Sequence, residues 1–311
     1  MTVGVQPPPP AVRVPPAGRQ VPFHGDKIVS LTSTFPRLGL ATSRLGFGGA
    51  AMGLTNYLRQ YDAAKSRDVS LAAVRRAVAC GITYFDTAPG YGKGLSEAIM
   101  GEALEGVSGV VLATKVPPAA DVRASLEASL RRLRRSKVDL LQIHGNSIDG
   151  EPLAQMLAKG GMVDQLVRLR DEGLTTAIGF TSEDNNRGVS ALIDTGAFDT
   201  MQIAYNLLLQ HPYEPTRPFG SLFEAKRHGL FTVSMRTFTS GIFQKWIRLA
   251  NPADRFDYTP ALIQFVLSNP LIDVALVGMR TPQEVDANVA TWRDETGRID
   301  VTELWTRYVG S

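Results

Sequence analysis

The segment ITYFDTAPGYGKGLSEAIMGEAL, residues 82–104, decides the fold because it changes character twice within a short length. It opens as an apolar strand, passes through a glycine-rich loop and ends with apolar residues at helical spacing. A charged residue, Asp86, closes the strand, and Tyr91 follows five positions later in the loop. This order of strand, polar end, loop and helix is the unit of a parallel α/β fold, which carries its functional groups where the strands end.

The same unit recurs along the chain from residue 43 onwards. Eight strands, each followed by a helical pattern, are predicted in the segments 44–50, 82–88, 109–116, 138–145, 175–183, 199–208, 230–238 and 272–280. Strands that are apolar along most of their length indicate burial on both faces. The count favours a closed (β/α)₈ TIM barrel. An open doubly wound sheet is the runner-up, although GFGGAAMG lacks the in-register G-x-G-x-x-G of that fold.

The amino-terminal end differs from the rest in composition. Residues 1–20 are rich in proline, and we expect this tail to be extended or disordered. Short alternating runs in residues 21–42 predict a β-hairpin that covers one end of the main domain. Residues 21–311 are therefore interpreted as a single barrel domain with an N-terminal hairpin and a C-terminal helix.

The composition argues against several classes of partner. The net charge is only +3, and Lys and Arg are dispersed among nearly as many acidic residues, so no nucleic-acid partner is expected. No secretory signal and no run of 18 apolar residues is visible, so no membrane partner is expected either. The single cysteine excludes an intrachain disulfide and suits a reducing compartment. We therefore expect a cytoplasmic protein of undetermined oligomeric state.

Polar residues close three successive predicted strands. The second strand ends in Asp86, with Tyr91 just after it, the third ends in Lys115, and the fourth ends in His144. Because the strand ends of a barrel meet at one mouth, we expect these four side chains to converge. A lone member of the set could be a turn cap, a rim tyrosine, a solvated lysine or a core histidine. Their conjunction favours a common function.

The four residue types match one kind of chemistry. An ammonium beside a tyrosine favours the phenolate, an aspartate holds the ammonium in place, and a histidine orients a carbonyl oxygen. Such a centre can protonate an alkoxide as it forms. No side chain supplies hydride, so a nicotinamide cofactor is implied. A metal-dependent hydrolase or isomerase is an alternative, but Asp86 and His144 are too few for a metal site, and no H-x-H or H-E-x-x-H spacing occurs.

The sequence resembles the aldo-keto reductase family on these same residues. FDTAPGYG matches the family segment Phe-Asp-Thr-Ala-x-x-Tyr-Gly, and SEAIMGEAL is similar to its following helix. LATKV and DLLQIHG resemble its lysine and histidine strands, and the similarity runs from about residue 38 to residue 292. The resemblance implies that Tyr91 is the general acid in reduction and the general base in oxidation. It further implies that Lys115 and Asp86 tune Tyr91 and that His144 helps to place the carbonyl.

The resemblance also implies a set of cofactor contacts. GFGGA is similar to the segment beside the nicotinamide, MQIAYN to the strand whose glutamine binds the carboxamide, and VGMRTPQEVDAN to the adenosine-binding stretch. An arginine that reaches a 2′-phosphate favours NADP(H), with NAD(H) possible. The residues implied are Gly49, Ala50, Asp86, Thr181, Ser182, Gln202, Met235, Arg236, Gly241, Arg280, Glu284 and Asn288.

Three departures from the family pattern bear on that set. Thr181-Ser182 stands where many members have Ser-Asn, and Met235 stands where many stack an aromatic residue on the nicotinamide. Methionine offers a soft apolar surface instead, and the following Arg236 could contact the pyrophosphate or stack. Glu284 falls where a neutral or basic residue often meets the adenosine. Its carboxylate would oppose a 2′-phosphate unless it faces away or reaches a ribose hydroxyl.

The substrate is expected to be a small carbonyl compound or alcohol (an aldehyde, a ketone or a sugar). Its walls are predicted in three long loops, 88–97, 145–160 and 236–259. The last loop holds five aromatic residues, Phe238, Phe243, Trp246, Phe256 and Tyr258, which could form an apolar face or pack under the loop. A non-catalytic cofactor-binding barrel that serves as a regulatory or partner subunit remains the alternative to an enzyme.

Overall fold

The computed structural model describes residues 30–55, 62, 66–118, 120–213, 220–301 and 303. The proline-rich tail predicted in residues 1–20 lies outside the described residues. The predicted C-terminal helix also lies outside the described residues, apart from Val301 and Glu303.

A β-hairpin precedes the barrel, as predicted. Strand β1 (Thr32–Phe35) pairs antiparallel with β2 (Leu40–Ser43). The turn closes through the N–H of Gly39, which donates to the carbonyl oxygen of Phe35 at 2.9 Å. Gly39 has φ +63°, a left-handed conformation that costs glycine little, and this explains why the turn ends there.

Eight parallel strands close into a barrel and confirm the predicted (β/α)₈ fold over the open sheet. They are β3 (Leu45–Gly48), β4 (Tyr84–Asp86), β5 (Val111–Val116), β6 (Val138–Ile143), β7 (Thr175–Ser182), β8 (Thr200–Ala204), β9 (Phe231–Met235) and β10 (Val274–Gly278). Neighbours pair in chain order, and β10 closes the ring by pairing with both β9 and β3. All eight strands lie within the segments predicted for them, so eight strand ends face one mouth.

Helices surround the barrel. They are α1 (Ala50–Gly53), α2 (Arg67–Ala79), α3 (Leu95–Ala103), α4 (Val122–Leu133), α5 (Gly150–Leu157), α6 (Met162–Asp171), α7 (Arg187–Asp194), α8 (Ser221–Arg227), α9 (Ile242–Ala250), α10 (Thr259–Leu267) and α11 (Pro282–Arg293). The side chains of Asp121, Asn186 and Thr281 accept backbone N–H groups in the first turns of α4, α7 and α11. These caps fix where the helices begin.

Two stretches predicted as plain loops contain helices. The loop 145–160 includes α5, whose Pro152 lies in the first turn, where a missing backbone donor costs nothing. The loop 236–259 includes α9, which starts after Gly241 in the left-handed region. No side chain of α9 is buried, so the helix is not marked by a core-facing stripe of the usual kind.

The core has two parts. One lies between the strands and the surrounding helices. The other lies inside the barrel and includes Tyr84, Leu140 and Phe231. Phe35 of the hairpin joins this second part, and its ring stacks on Phe231 with centroids 4.4 Å apart. The hairpin therefore fills the amino-terminal end of the barrel with apolar side chains, and the opposite end carries the polar strand termini.

Candidate active site

A cavity of about 240 Å³ opens where the barrel strands end. It is lined by all four residues of the predicted centre, Asp86, Tyr91, Lys115 and His144. Besides Asp86, which belongs to both sets, five further residues of the predicted cofactor set line it, and these are Ala50, Thr181, Gln202, Met235 and Arg236. The structure thus brings together residues from most of the barrel strands.

Lys115 and Asp86 form a buried ion pair at the base of this cavity. Lys115 Nζ donates to Asp86 Oδ1 at 2.5 Å and to the carbonyl oxygen of Thr87 at 2.8 Å. Each side chain is only 1% exposed. Burial raises the pKa of Asp86, although Lys115 opposes that shift. Burial would lower the pKa of Lys115, but Asp86 and Tyr91 outweigh it and the net pKa is raised, so the lysine stays an ammonium.

Tyr91 lies in the loop after β4 and faces this ion pair. Lys115 Nζ stands 5.0 Å from the centroid of the Tyr91 ring, and a hydrogen bond between the two side chains contributes to the raised pKa of Lys115. The backbone of Tyr91 is held against α1 by Gly53, where an added Cβ would come within 2.4 Å of the Tyr91 carbonyl oxygen. The glycine therefore permits the close approach that places the phenol in the cavity.

His144 follows β6, and its backbone N–H donates to the carbonyl oxygen of Val116 at 2.8 Å. Its ring meets the Tyr91 ring edge to face, with centroids 5.5 Å apart. Burial, reinforced by the charge of Lys115, lowers the pKa of His144 to about 4. The imidazole is therefore neutral at neutral pH and can offer one N–H donor to an oxygen in the cavity.

Gln142 is a buried polar residue that the sequence reasoning did not single out. Gln142 lies on β6, two positions before His144, and is fully buried. Its Nε2 donates to Asp86 Oδ2 at 3.2 Å and to Gln202 Oε1 at 3.3 Å. The only signal in the sequence is an amide within the otherwise apolar run LLQI. Glu183 also lines the cavity without having been singled out, whereas Asn146 and Phe238 line it from two of the loops predicted as substrate walls.

Several residues predicted to contact the nicotinamide form hydrogen bonds or an ion pair with other residues of the protein. Ser182 donates its hydroxyl to the carbonyl oxygen of Asp184 at 2.8 Å, and Thr181 donates to that of Gly145 at 2.9 Å. Gly49 donates its N–H to the carbonyl oxygen of Asp86 at 2.7 Å. Arg236 has φ +58° and forms an ion pair with Glu183 at the cavity. Gly49, Ser182 and Gly241 are not among the residues that line the cavity.

The predicted adenosine residues lie just before α11 and along this helix, and they do not line this cavity. Arg280 is 4% exposed, and its Nε donates to the carbonyl oxygen of Ala51 at 2.7 Å. Glu284 accepts the backbone N–H of Arg280 at 2.6 Å, while its own N–H donates to Thr281 Oγ1 at 3.1 Å. Asn288 is buried on the same helix. Glu284 therefore has a capping role, similar to a capping box, that the sequence reasoning did not foresee.

The aromatic residues of 236–259 do not form one wall. Phe238 lines the cavity described above, whereas Phe243 and Tyr258 line a separate cavity of about 720 Å³ against α10 and α11. Trp246 is 56% exposed and Phe256 is 68% exposed, so the five aromatic residues neither form one apolar face nor all pack under the loop.

The described residues contain neither a membrane-spanning helix nor a cluster that could bind a metal ion. None of the helices in the described part of the chain combines the length and apolar character needed to cross a bilayer. Over those same residues, no three His, Cys, Asp or Glu side chains come together in a way that could hold a metal ion.

Comparisons with known proteins point to one family. The model of the Aldo/keto reductase family matches residues 44–262. The aldo-keto reductase YhdN of Bacillus subtilis (strain 168) is 27% identical over 298 residues, covering 80% of this chain and 85% of that protein. The D-threo-aldose 1-dehydrogenase of Pseudomonas sp is 27% identical, covering 80% and 89%. An aldo/keto reductase from Klebsiella pneumoniae, solved in complex with NADP and acetate, is 25% identical with a TM-score of 0.65, covering 82% and 87%.

Proposed function

Because the chain belongs to the aldo/keto reductase family, we propose that it is an NADP(H)-dependent oxidoreductase acting reversibly on a small carbonyl compound or the matching alcohol. The observation that carries the proposal is the buried Lys115–Asp86 pair facing the Tyr91 phenol and the neutral His144 imidazole in one cavity. Each of these groups has a use in carbonyl reduction, and no metal is needed.

The cavity has features that suit a nicotinamide ring. Gly48 and Gly278 leave one wall without side chains, and Met235 and Leu276 supply apolar surface. A Cβ at Gly278 would come within 3.0 Å of Ala51 Cβ, so the glycine preserves space on that side. Gln202 supplies an amide for a carboxamide, and its Nε2 points towards Met235 Sδ at 3.8 Å. When bound, the cofactor would supply or accept the hydride.

The side chains of the chain itself would handle the oxygen of the substrate. His144 donates an N–H to the carbonyl oxygen and orients it. Tyr91 donates its phenolic proton to the same oxygen as negative charge develops there, and it takes the proton back in oxidation. Lys115 stabilises the phenolate that remains, because an ammonium next to a phenolate favours the charged form. Asp86 holds that ammonium in place through the 2.5 Å contact.

The experiment is a turnover assay with a matched pair of tyrosine variants. Purified protein is mixed with NADPH or NADH and a panel of aldehydes, ketones and sugars, and the loss of nicotinamide absorbance is followed. We expect NADPH oxidation by the wild type and a loss of at least about 100-fold in Tyr91→Phe, in keeping with the usual contribution of a positioned proton donor. Cofactor affinity should stay within a few-fold of the wild type.

Tyr258→Phe is the control, since it also removes one phenolic hydroxyl, but from a residue that bonds Asp254 outside the cavity. It should turn over like the wild type. An active Tyr91→Phe variant would show that the proton donor is misassigned. Binding of NADPH without turnover of any compound would favour the alternative of a non-catalytic cofactor-binding subunit.

A polyhydroxylated carbonyl such as an aldose is a specific candidate for the panel. Asn146, Glu183, Arg236 and Ser240 place polar groups around the cavity, and polar groups of this kind can bond several hydroxyls of one ligand. The similarity to a D-threo-aldose 1-dehydrogenase is consistent with this choice. If simple alkyl aldehydes have a higher kcat/KM than every aldose tested, this choice of substrate is wrong.

A further inference from the structure

Gln142 occupies an unusual position inside the barrel. It lies on β6 between Asp86 on β4 and Gln202 on β8, which are alternate strands, and inward-facing side chains of alternate strands share a layer. Two positions earlier on the same strands, Tyr84 and Leu140 belong to the apolar interior of the barrel. Branched apolar side chains usually fill such layers, so the amide needs a reason.

Packing does not supply that reason. Gln142 is fully buried, and among the described residues its Oε1 has no hydrogen-bond partner. A buried polar atom without a partner costs about 1–3 kcal/mol. A methionine or leucine at this position would avoid that cost with similar volume, because neither carries a strong hydrogen-bonding group.

The hydrogen-bonding capacity of the neighbours fixes the orientation of two amides. The ionised Asp86 carboxylate can only accept, so Gln142 must turn its NH₂ group towards it. The same NH₂ group also reaches Gln202 Oε1, which must therefore face Gln142. Consequently Gln202 turns its own NH₂ group away, towards Met235 Sδ and the cavity. The side chain of Gln202 also bonds Asp86, so the carboxylate helps to orient Gln202 both directly and through Gln142, with a donor presented to a ligand.

We propose that Gln142 is a positioning residue that holds the Asp86 carboxylate for Lys115 and orients the Gln202 amide to donate to the carboxamide oxygen of a nicotinamide. The inference rests on the proposed function and adds to it a buried link between the proton-transfer side of the cavity and the cofactor side. Gln142 itself does not line the cavity, so it acts through Asp86 and Gln202 and does not touch a ligand.

The link makes a prediction about pH. Burial raises the pKa of Asp86, and hydrogen bonds from Lys115, Gln202 and Gln142 to its charged form oppose that shift. Removing the amide of Gln142 raises the pKa of Asp86 further. The Asp86 carboxylate is then protonated at a higher pH, where it releases Lys115. The acidic limb of the kcat/KM profile should therefore move to higher pH in a variant without the amide.

The test uses Gln142→Met, which keeps the length of the side chain and removes both amide groups. We expect kcat to fall by roughly tenfold or more, as for the loss of a hydrogen bond to a charged group, and the acidic limb to move upward in pH. The affinity for NADP⁺ should fall by several-fold, whereas that for 2′-phospho-ADP-ribose, which has no nicotinamide, should be unchanged. Calorimetric titration measures both affinities.

Gln264→Met is the matched control. Gln264 is also buried and donates from Nε2 to the carbonyl oxygens of Thr291 and Asp294 at 2.8 Å, between α10 and α11 and away from the active-site cavity. This variant should lose thermal stability but keep the kcat, the pH profile and both affinities of the wild type. If Gln142→Met does not fold, Gln142→Leu replaces it.

The outcomes separate this inference from the proposed function. If the wild type binds NADP⁺ but reduces nothing, the proposed function fails, while the selective loss of NADP⁺ affinity still supports the orientation of Gln202. If Gln142→Met matches the wild type in kcat, pH profile and NADP⁺ affinity, Gln142 is only a core residue and the inference is overturned. Equal weakening of NADP⁺ and 2′-phospho-ADP-ribose overturns it too, because general disorder would then explain the loss.

Discussion

Two lysine–aspartate pairs stand at opposite ends of the barrel, and one of them lines the active-site cavity. Lys115–Asp86 lies where the strands end, with each side chain 1% exposed. Lys226–Asp273 lies where β9 and β10 begin, with side chains 21% and 15% exposed. Asp273 also accepts the Thr232 N–H at 2.7 Å and the hydroxyl of Ser33 in the hairpin at 2.7 Å. This second pair therefore ties the hairpin and two strands together.

The difference lies in what surrounds each carboxylate. Asp273 has backbone and hydroxyl donors that hold it in place whether or not Lys226 is present. Asp86 depends on Lys115 and on the amides of Gln142 and Gln202, and the partners of Lys115 include the phenol of Tyr91. The same two residue types thus stabilise the fold at one end of the barrel and, in our proposal, assist proton transfer at the other.

The largest expected effect is that of Lys115→Met. Removing one partner of a buried ion pair leaves Asp86 charged and uncompensated, which costs about 3–5 kcal/mol of stability. Turnover should be lost as well, since the ammonium that stabilises the phenolate is gone. Denaturant unfolding measures the first effect and the NADPH assay the second. The double variant Asp86→Asn with Lys115→Met should regain stability without regaining activity. A fully active Lys115→Met would abolish the contrast between the two pairs.

The next effect is the contribution that His144, in the cavity, makes to the pH dependence of stability. The pKa of His144 is about 4 in the folded chain and about 6.5 in the unfolded one, so the unfolded chain binds more protons in between. Stability should therefore fall as the pH falls through this window, by up to about 3 kcal/mol. Unfolding curves of wild type and His144→Asn at several pH values isolate this contribution. The variant should lose the extra slope.

His228→Asn serves as the control for that measurement. His228 lies at the end of α8, outside the active-site cavity, with Nε2 3.9 Å from Asp194 Oδ1. We expect it to keep the slope of the wild type. A His144→Asn variant whose stability declines as steeply as that of the wild type between pH 6.5 and 4 would mean that His144 titrates normally.

A smaller effect is expected for Lys226→Met at the other end of the barrel. This pair is partly exposed, and Asp273 keeps its backbone and hydroxyl donors, so the loss should be about 1 kcal/mol. The kcat and KM should not change, because the pair does not line the cavity. The unfolding free energies and turnover rates of Lys226→Met and Lys115→Met then show which pair contributes to stability alone and which also contributes to activity. A large loss of activity would show that the two ends of the barrel are coupled.

The barrel and the convergence of Asp86, Tyr91, Lys115 and His144 could be predicted from the sequence for a physical reason. Buried strands are nearly continuous apolar runs, so a charged residue such as Asp86 or Lys115 at the end of one is visible in the sequence. Gln142 was not recognised, because its importance depends on neighbours 56 and 60 positions away. The helices α5 and α9 were missed because Pro152 and Gly241 are also typical of loops.

The orientation of Arg280 and Glu284 also required the structure. The sequence places an arginine and a carboxylate near the predicted adenosine site but cannot say which atoms they use. In the structure, Arg280 bonds the carbonyl oxygen of Ala51, and Glu284 bonds the backbone of Arg280. The first contact joins the start of α11 to α1, which is close to it only after folding, whereas the second is a local bond across the helix start.

The smallest predicted effect concerns the choice of nucleotide at the start of α11. Glu284 brings a negative charge to the backbone of Arg280, where we propose that the 2′-phosphate of NADP(H) binds. A like charge a few ångströms away in a solvated region costs about 1 kcal/mol. Glu284→Gln, which can still accept the N–H of Arg280, should therefore raise the affinity for NADPH by about fivefold and leave that for NADH unchanged. Arg280→Ala should weaken NADPH much more than NADH.

Asp286→Asn provides the matched control, because it removes a carboxylate from the same helix at a position that pairs with Arg76 instead. Fluorescence titration of the four proteins with both nucleotides gives the comparison. If Glu284→Gln and Asp286→Asn change NADPH affinity equally, the effect reflects only the overall charge of the helix. If Arg280→Ala weakens both nucleotides equally, the arginine contacts no 2′-phosphate, and its bond to Ala51 is then its main role. The adenosine end would in that case be structural, like the Lys226–Asp273 pair.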